Sequence, residues 1–362
     1  MIKFVHTGDI HLGLKFNKVS FHKDKAVMRR RELWSTFERI VNYCTEKSVD
    51  FLLIAGDLFE YDYFTIGDIK RVRDIFMKAK GINILIVAGN HDILNNKSLY
   101  NRVEWSPNVT IFQNKLEKKV FSDLNTVIYG YSWDRSEIAD NHLFDNFEYE
   151  HEDNDKNKML ILHGDINKES KYLPLTLDEL NKLNMDYIAL GHIHKPIIYN
   201  DKIAYCGSPE PLDFGELGER GIIQGVIENG KTKFEFLPFS MRCFYEEDID
   251  IDGNMGYLDI KEKVKSIQTG NPEKDFYRIY LKGYAQNDIS LENLYEDIEE
   301  YFYHVELFDE TIPDYDLDAL EVLHKDNIVG QFIRNMKGKD LNKRCVKEAL
   351  YIGLEVLLKE VY

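Results

Sequence analysis

The chain of 362 residues has only four cysteines, Cys44, Cys206, Cys243 and Cys345, and no two of them form a C-x-x-C pair. That excludes a disulfide framework and makes a closed, cysteine-rich zinc site a poor reading; the thiols read as reduced and mostly structural, as in a cytosolic protein. No stretch approaches 18 uninterrupted apolar residues, and the N-terminus enters a strand-like run without a basic leader. A soluble, cytoplasmic protein with no membrane segment is therefore expected. There is no G-x-x-x-x-G-K-[ST] sequence, so any ATP hydrolysis has to come from a partner. An excess of positive charge is lacking too: the formal net charge is -17, which on its face argues against a polyanionic ligand.

The distribution of charge softens that objection. Residues 1–240 hold 31 Lys and Arg against 36 Asp and Glu, whereas residues 241–362 hold 15 against 27. The acidity is concentrated in the last third. Within the first part, residues 22–31 (HKDKAVMRRR) gather Lys23, Lys25, Arg29, Arg30 and Arg31, the best candidates for contacts to a phosphate backbone, although a solvated helix face would look the same.

Seven metal-binding side chains occur in five short blocks: Asp9-Ile10-His11, Gly56-Asp57, Gly89-Asn90-His91-Asp92, His163-Gly164 and Gly191-His192-Ile193-His194. Each block follows a strand-like apolar run, at residues 2–5, 51–55, 82–88, 159–162 and 187–190, so the polar groups are expected to converge at one edge of a sheet. Singly, each block reads as a turn or a satisfied histidine. Their order and joint occurrence read as the ligands of two divalent cations, most simply Mn²⁺, which accepts carboxylate, amide oxygen and imidazole. Asp57 is the natural bridge, since its two oxygens can serve one ion each; Asp9, His11 and His194 would complete one set, and Asn90, His163 and His192 the other. His91 is not needed as a ligand, which leaves it to protonate the leaving oxygen, with Asp92 orienting its ring; the alternative is that His91 binds the substrate phosphate.

Residues 1–240 alternate apolar runs with helical patterns, such as 32–47, and then change to short strands after about residue 186, at 195–200, 203–206, 221–228 and 233–238. Two packed sheets with helices outside them are predicted. The polar stretch 148–158 reads as an exposed loop. From residue 241 the pattern restarts as a βαββαβ-like order with one strand unseen, giving a small α+β domain over 241–312. Residues 313–362 read as helical, with an apolar stripe at Val346, Leu350, Leu354 and Leu357 that is expected to pack on its own domain.

The five blocks together resemble the calcineurin-like metallophosphoesterase superfamily over residues 1–240. HTGDIHLG, GDLFE, GNHD, GHIHKP and CGSPEPLDFGELGERG resemble the SbcD-type and YhaO-like DNA repair exonucleases within it. The resemblance implies a four-layer αββα sandwich and two Mn²⁺ ions. It also implies a capping domain that helps to position DNA, and a C-terminal helical segment that engages an SMC-like ATPase. Where some members carry histidine directly after G-D-L-F, this chain has Glu60. Two other functions remain open: a phosphodiesterase for small substrates such as cyclic nucleotides, and a non-catalytic scaffold for an ATPase. A serine/threonine phosphatase fits less well, since residues 56–62 contain no Arg. Strand preference, cleavage polarity and oligomeric state, a homodimer included, are not legible.

Overall fold

Period-two alternation along the central strands sets the architecture. The structure, a computed structural model, describes residues 1–16, 23–145, 156–285, 290–313, 315–341 and 343–359. The first unit, Met1–Cys243, runs β1 (Ile2–Thr7), α1 (Lys23–Glu46), β2 (Phe51–Ala55), α2 (Ile66–Lys78), β3 (Asn83–Val87), β4 (Val109–Ile111), β5 (Glu117–Phe121) and β6 (Thr126–Gly130). It continues with β7 (Asn157–His163), α3 (Leu177–Lys182), β8 (Tyr187–Gly191), β9 (Ile197–Ile198), β10 (Ile203–Tyr205), β11 (Gly221–Glu228) and β12 (Lys231–Pro238). Two six-stranded sheets result, in the orders β12-β11-β1-β2-β3-β4 and β5-β6-β7-β8-β10-β9. The strands β1 to β4 are parallel neighbours, as are β6, β7, β8 and β10; antiparallel strands close the remaining edges.

Along β2, Phe51, Leu53 and Ala55 face the second sheet and pack with Ile128, Met159, Ile161 and Tyr187. The intervening Leu52 and Ile54 face α1 and α2, where they meet Leu33, Phe37, Ile40, Val72 and Phe76. A third core covers the outer face of the second sheet with Leu175 and Leu180 around α3. Both faces of each sheet are thus apolar, as parallel strands covered on two sides require, and the four-layer αββα sandwich expected from the sequence is the observed fold. Helix α2 is held at its start by a capping box between Thr65 and Asp68.

The basic segment is helical from Lys23 onward, and it corrects one expectation. Arg29 is not available to a phosphate backbone: its side chain is 0% exposed. The reason is helical phase. Position 29 lies one turn before Leu33 and shares the core-facing side of α1 with Leu33 and Phe37. Its guanidinium meets Glu32 at 2.5 Å, Glu210 at 3.1 Å and the Pro211 carbonyl at 2.8 Å, and Thr36 donates to the other oxygen of Glu210. Arg29 therefore pins the loop containing Glu210 to α1. Arg31 is exposed, Arg30 and Lys25 are partly exposed, and the Lys23 side chain lies outside the described residues. Most of the polar stretch 148–158 also lies outside them.

The second unit, Phe244–Tyr362, runs β13 (Phe244–Ile251), α4 (Tyr257–Lys265), β14 (Phe276–Ala285), α5 (Leu291–Ile298), β15 (His304–Pro313), α6 (Leu317–Leu323), α7 (Ile328–Lys337) and α8 (Arg344–Lys359). Among the described residues it has three strands, all parallel, in the order β13-β14-β15. This βαβαβ order replaces the βαββαβ-like one. A helix separates each successive pair, and parallel neighbours need such a crossover. Gly283 lies inside β14 at φ +100°. On α8, Leu350 and Leu354 are buried against Val329, Ile333 and Met336 of α7, so the apolar stripe packs on its own unit. No described helix is long and apolar enough to cross a membrane.

Arg29→Ala leaves Glu210 a buried carboxylate without a cation, while Glu32 keeps Arg242 at 2.7 Å, and breaking such a buried pair costs about 3–5 kcal/mol. Arg30→Gln, on the outer side, is expected to stay within about 0.5 kcal/mol of the parent. Urea unfolding of both variants measures this; equal midpoints would show that the Arg29 cluster pins nothing.

Candidate metal centre

All five blocks sit at the carboxyl ends of parallel strands, where an open α/β sheet presents its loops. Asp9 and His11 follow β1, Asp57 follows β2, Asn90 and His91 follow β3, His163 ends β7, and His192 and His194 follow β8. Four of these residues hold left-handed backbone: Asp9 at φ 48°, His11 at 50°, Asp57 at 50° and His192 at 102°. Non-glycine residues seldom adopt such values, and strain of this kind persists only where the surroundings enforce it. Gly89 is required for close approach, because a Cβ there would collide with the Asp57 carboxylate and the His163 ring. At Gly56, φ +89° and the His163 ring together exclude any side chain.

The seven side chains are brought together. Asp9, His11 and His194 offer ligand atoms within 4.8 Å of one another, and so do Asp9, Asp57 and His163. Asp57 Oδ2 lies 3.3 Å from His163 Nε2 and 3.8 Å from His11 Nε2, between the two groups. Asn90 Oδ1 lies 2.9 Å from His163 Nε2 and 3.2 Å from His192 Nδ1. The Asp9 carboxylate also accepts the His192 backbone N–H, at 3.0 and 3.1 Å, which fixes the β8 loop over it.

Ring tautomers test whether this set suits cations. His11 Nδ1 points at Glu60 Oε1, 2.7 Å away, and His194 Nδ1 at Glu216 Oε1, 2.5 Å away. Carboxylates only accept, so each Nδ1 carries the proton. The two Nε2 lone pairs then face one another across 3.1 Å. His163 repeats the pattern: Nδ1 donates to the Ala55 carbonyl at 2.9 Å, leaving Nε2 turned toward the oxygens of Asp57 and Asn90. Acceptors facing acceptors are favourable only with an added proton or a cation between them, and the mixture of carboxylate, amide and imidazole suits a divalent ion.

In the metal-free chain protons take that place. Burial depresses His163, but Asp57 outweighs it and lifts the ring to about 9; at His194 burial is outweighed by Glu216, again to about 9. His192 goes the other way, to about 3, through burial and the neighbouring His163. For Asp57, burial is outweighed by His163, and its carboxyl is held well below the usual range.

A sequence model for calcineurin-like phosphoesterases matches residues 2–196, more than half of the chain and all seven of these positions. The chain belongs to the calcineurin-like phosphoesterases. Its enzymatic class is that of a metal-dependent phosphoesterase. This phosphoesterase is similar to the uncharacterized metallophosphoesterase YhaO of Bacillus subtilis, 28% identical over 65% of this chain and 60% of that one. It is 26% identical to the SbcD component of the SbcCD nuclease of Staphylococcus saprophyticus across 99% of both chains. To the DNA double-strand break repair protein Mre11 of Methanopyrus kandleri it is 27% identical, over 61% of this chain and 51% of that one. It thus spans between half and two thirds of the Bacillus and Methanopyrus proteins.

Around the phosphoesterase centre, the structure reassigns one expected role. Asp92 does not orient the His91 ring. Its fully buried carboxylate accepts from Leu58 N at 2.8 Å, Gly89 N at 2.6 Å and the Tyr100 hydroxyl at 2.6 Å, joining the loops of Asp57 and Asn90. Burial and Asp57 raise it to about 6. The partner of His91 is Glu60, whose Oε2 lies 3.0 Å from His91 Nδ1 while Oε1 holds His11. One carboxylate thus orients a ring facing the centre and a ring that is 44% exposed beside it. Sequence reading noted Glu60 only as a departure, and it missed Glu216, which also accepts from Ser208 Oγ at 2.8 Å and Leu212 N at 3.1 Å. The available signal was Glu216's place inside CGSPEPLDFGELGERG, the block that best marks the resemblance.

Glu216→Gln should weaken metal binding about 10- to 100-fold, the usual effect of losing a carboxylate that orients a ligating imidazole; metal titration of the folded variant checks it, and unchanged affinity would remove Glu216 from that role. Proton release gives a second test. With folded values of about 9, His163 and His194 are protonated at neutral pH and must deprotonate to bind a cation. Metal uptake at pH 7 should release protons into a weakly buffered indicator solution, and affinity should rise with pH up to about 9; uptake without proton release would show that the two rings are already neutral in the metal-free chain.

Proposed function

We propose that this chain is a two-metal phosphodiesterase that cleaves DNA, with Mn²⁺ as its working cation, and the nuclease subunit of a repair complex with an SMC-like ATPase. The facing lone pairs of His11 and His194, 3.1 Å apart, carry the metal part of the reading. Similarity along 99% of a chain named as part of a nuclease supports the polymer and partner parts. In this reading residues 1–240 form the catalytic domain, 241–312 a capping domain and 313–362 a partner-binding segment. Asp9, His11 and His194 would hold one cation and Asn90, His163 and His192 the other, with Asp57 placed to serve both. Bound there, the cations supply Lewis-acid clamping of the phosphate and hydroxide at neutral pH.

The remaining work belongs to side chains. His91, exposed at the edge of the cluster, donates its proton to the departing ester oxygen. Glu60 keeps that proton available: its hydrogen bond, outweighing burial, raises His91 above the ordinary histidine range. Burial is outweighed at Glu60 itself by His11 and His91, so the carboxyl falls to about 2 and stays ionised at working pH.

Chelation should abolish digestion of end-labelled DNA, and Mn²⁺ should restore it better than Mg²⁺; full activity with an analytically empty site rules the mechanism out. His91→Asn should keep its metals and lose about 10²- to 10⁴-fold in rate on a poor leaving group, with a much smaller loss on a nitrophenyl ester. Equal losses would assign His91 to phosphate binding. A proton donor works only below its pKa, so activity falls as pH rises through that of His91. Glu60→Gln lowers that pKa and should move the alkaline limb of the rate profile to lower pH; an unmoved limb would free His91 from Glu60.

A further inference from the structure

The loops that carry Asp9, His11, Asp57 and Glu60 are joined by backbone hydrogen bonds, Leu12 N to Leu58 O and Glu60 N to Leu12 O, both 3.0 Å. They continue past the metal centre into the wall of a groove of about 360 Å³, shared with α1 and α2 and lined by Lys15, Arg30, Arg31, Trp34, Tyr63 and Arg71 among others. That volume is at the lower end of the roughly 300–1,000 Å³ of ligand clefts. Its electrostatics oppose those of the chain. Lys15, Arg30 and Arg31 have no carboxylate partner among the described residues, although the whole protein carries a net charge of -17. Two acids lie close: Asp68 lines the groove and keeps its charge while closing the capping box with Thr65, and Glu38 pairs with Arg71 at 2.7 Å, so four cations of the lining face one carboxylate.

The aromatic residues divide into wall and platform. Trp34 is stacked on Phe64 with ring centroids 5.9 Å apart, and the Arg71 guanidinium lies 4.1 Å from its centroid, so both contacts hold it as wall. Tyr63 is 41% exposed, with the Lys15 ammonium 4.3 Å from its ring centre. We infer that this groove is a subsite for a single-stranded segment of nucleic acid, its phosphates held by Lys15, Arg30 and Arg31 and one base stacked on Tyr63. The inference rests on the DNA reading above and narrows it. A projecting ring beside unneutralised cations suits an unstacked base, whose face is open, whereas a duplex keeps its base faces covered. The strand would then enter the metal centre along the two joined loops, as a frayed or single-stranded end.

The test is fluorescence anisotropy with labelled oligothymidine and a blunt mixed-sequence duplex, in chelator so that neither is cut. Tyr63→Ala should weaken single-strand binding about 5- to 150-fold, the range for one stacked base, with little change in salt dependence. Its duplex affinity should change far less, and Tyr63→Phe should bind like the parent. Arg30→Gln combined with Arg31→Gln should flatten the log–log salt slope for the single strand by about 1.4. Melting temperature and metal content establish that each variant is folded. Parent-like single-strand binding by Tyr63→Ala and by the double arginine variant overturns the subsite, as does an equal loss on duplex for Tyr63→Ala. If the parent digests DNA in Mn²⁺ while those variants bind normally, the subsite falls alone. A parent that neither binds nor digests DNA removes the DNA reading, and the subsite with it.

Discussion

Lone pairs that point at one another organise this protein. His11 and His194 meet through their Nε2 atoms because each ring's Nδ1 is committed to a carboxylate, so each Nε2 is free to take a proton or a cation. Neither ring can turn away without abandoning a short hydrogen bond in a buried setting, where leaving a polar group unsatisfied is costly. The repulsion is therefore built in, and the centre is complete only with positive charge inside it. Protons supply that charge in the metal-free chain: against burial, Asp57 raises His163 and Glu216 raises His194, while His192 is lowered by burial and by His163.

Holding such a centre requires stiffness elsewhere. Four of the seven converging residues hold left-handed backbone, a conformation that costs of order 1–3 kcal/mol at each residue. The two sheets offset this with three apolar cores, of which the middle one, packed between Phe4, Leu53, Val87, Met159 and Ala189, lies directly beneath the strand ends. Asp92 performs the same task at short range by joining the Asp57 and Asn90 loops. Arg29 does so at longer range, tying α1 to the loop containing Glu210, which runs on to Glu216. An arginine that looked like a ligand for phosphate thus stabilises the segment that orients a metal-facing histidine.

What was legible in the sequence follows from the range over which each signal acts. Strand positions before the five blocks and the seven candidate ligand positions are local: an apolar run and a polar residue appear together in the chain, and those five strands formed within two residues of where they were read. The roles of Glu60, Glu216 and Arg29 are not local. Arg29 meets Glu210 across 181 residues and His163 meets Asn90 across 73, and no periodicity encodes which carboxylate a ring will face. Asp92 was misread because adjacency in sequence was taken for adjacency in space, whereas successive residues leaving a strand point to opposite sides. The order of the second unit failed for another reason. Its helices were visible, but a missing fourth strand was supplied by analogy rather than by residues.

The net charge of the whole chain proved a poor guide to the surface around the centre. Its acidity has three physical origins that do not act on a polyanion in the same way. The carboxylates of Asp9 and Asp57 are buried and face the metal positions, so bound cations would neutralise them. Those of Glu32 and Glu210 are buried against Arg29. Much of the remainder lies in residues 241–362, whose strands display acids such as Asp248 and Glu310 to solvent beside Lys282. Fields from exposed charges fade over about 8–10 Å at ordinary ionic strength, so Lys15, Arg30 and Arg31 set the potential within their own groove whatever the total. Recognition of a polyanion therefore depends on which charges near the metal centre are left unneutralised. Among the described residues, Lys15, Arg30 and Arg31 are left so, while Glu38 is neutralised by Arg71 and Asp68 is the one carboxylate of the groove lining that offsets them.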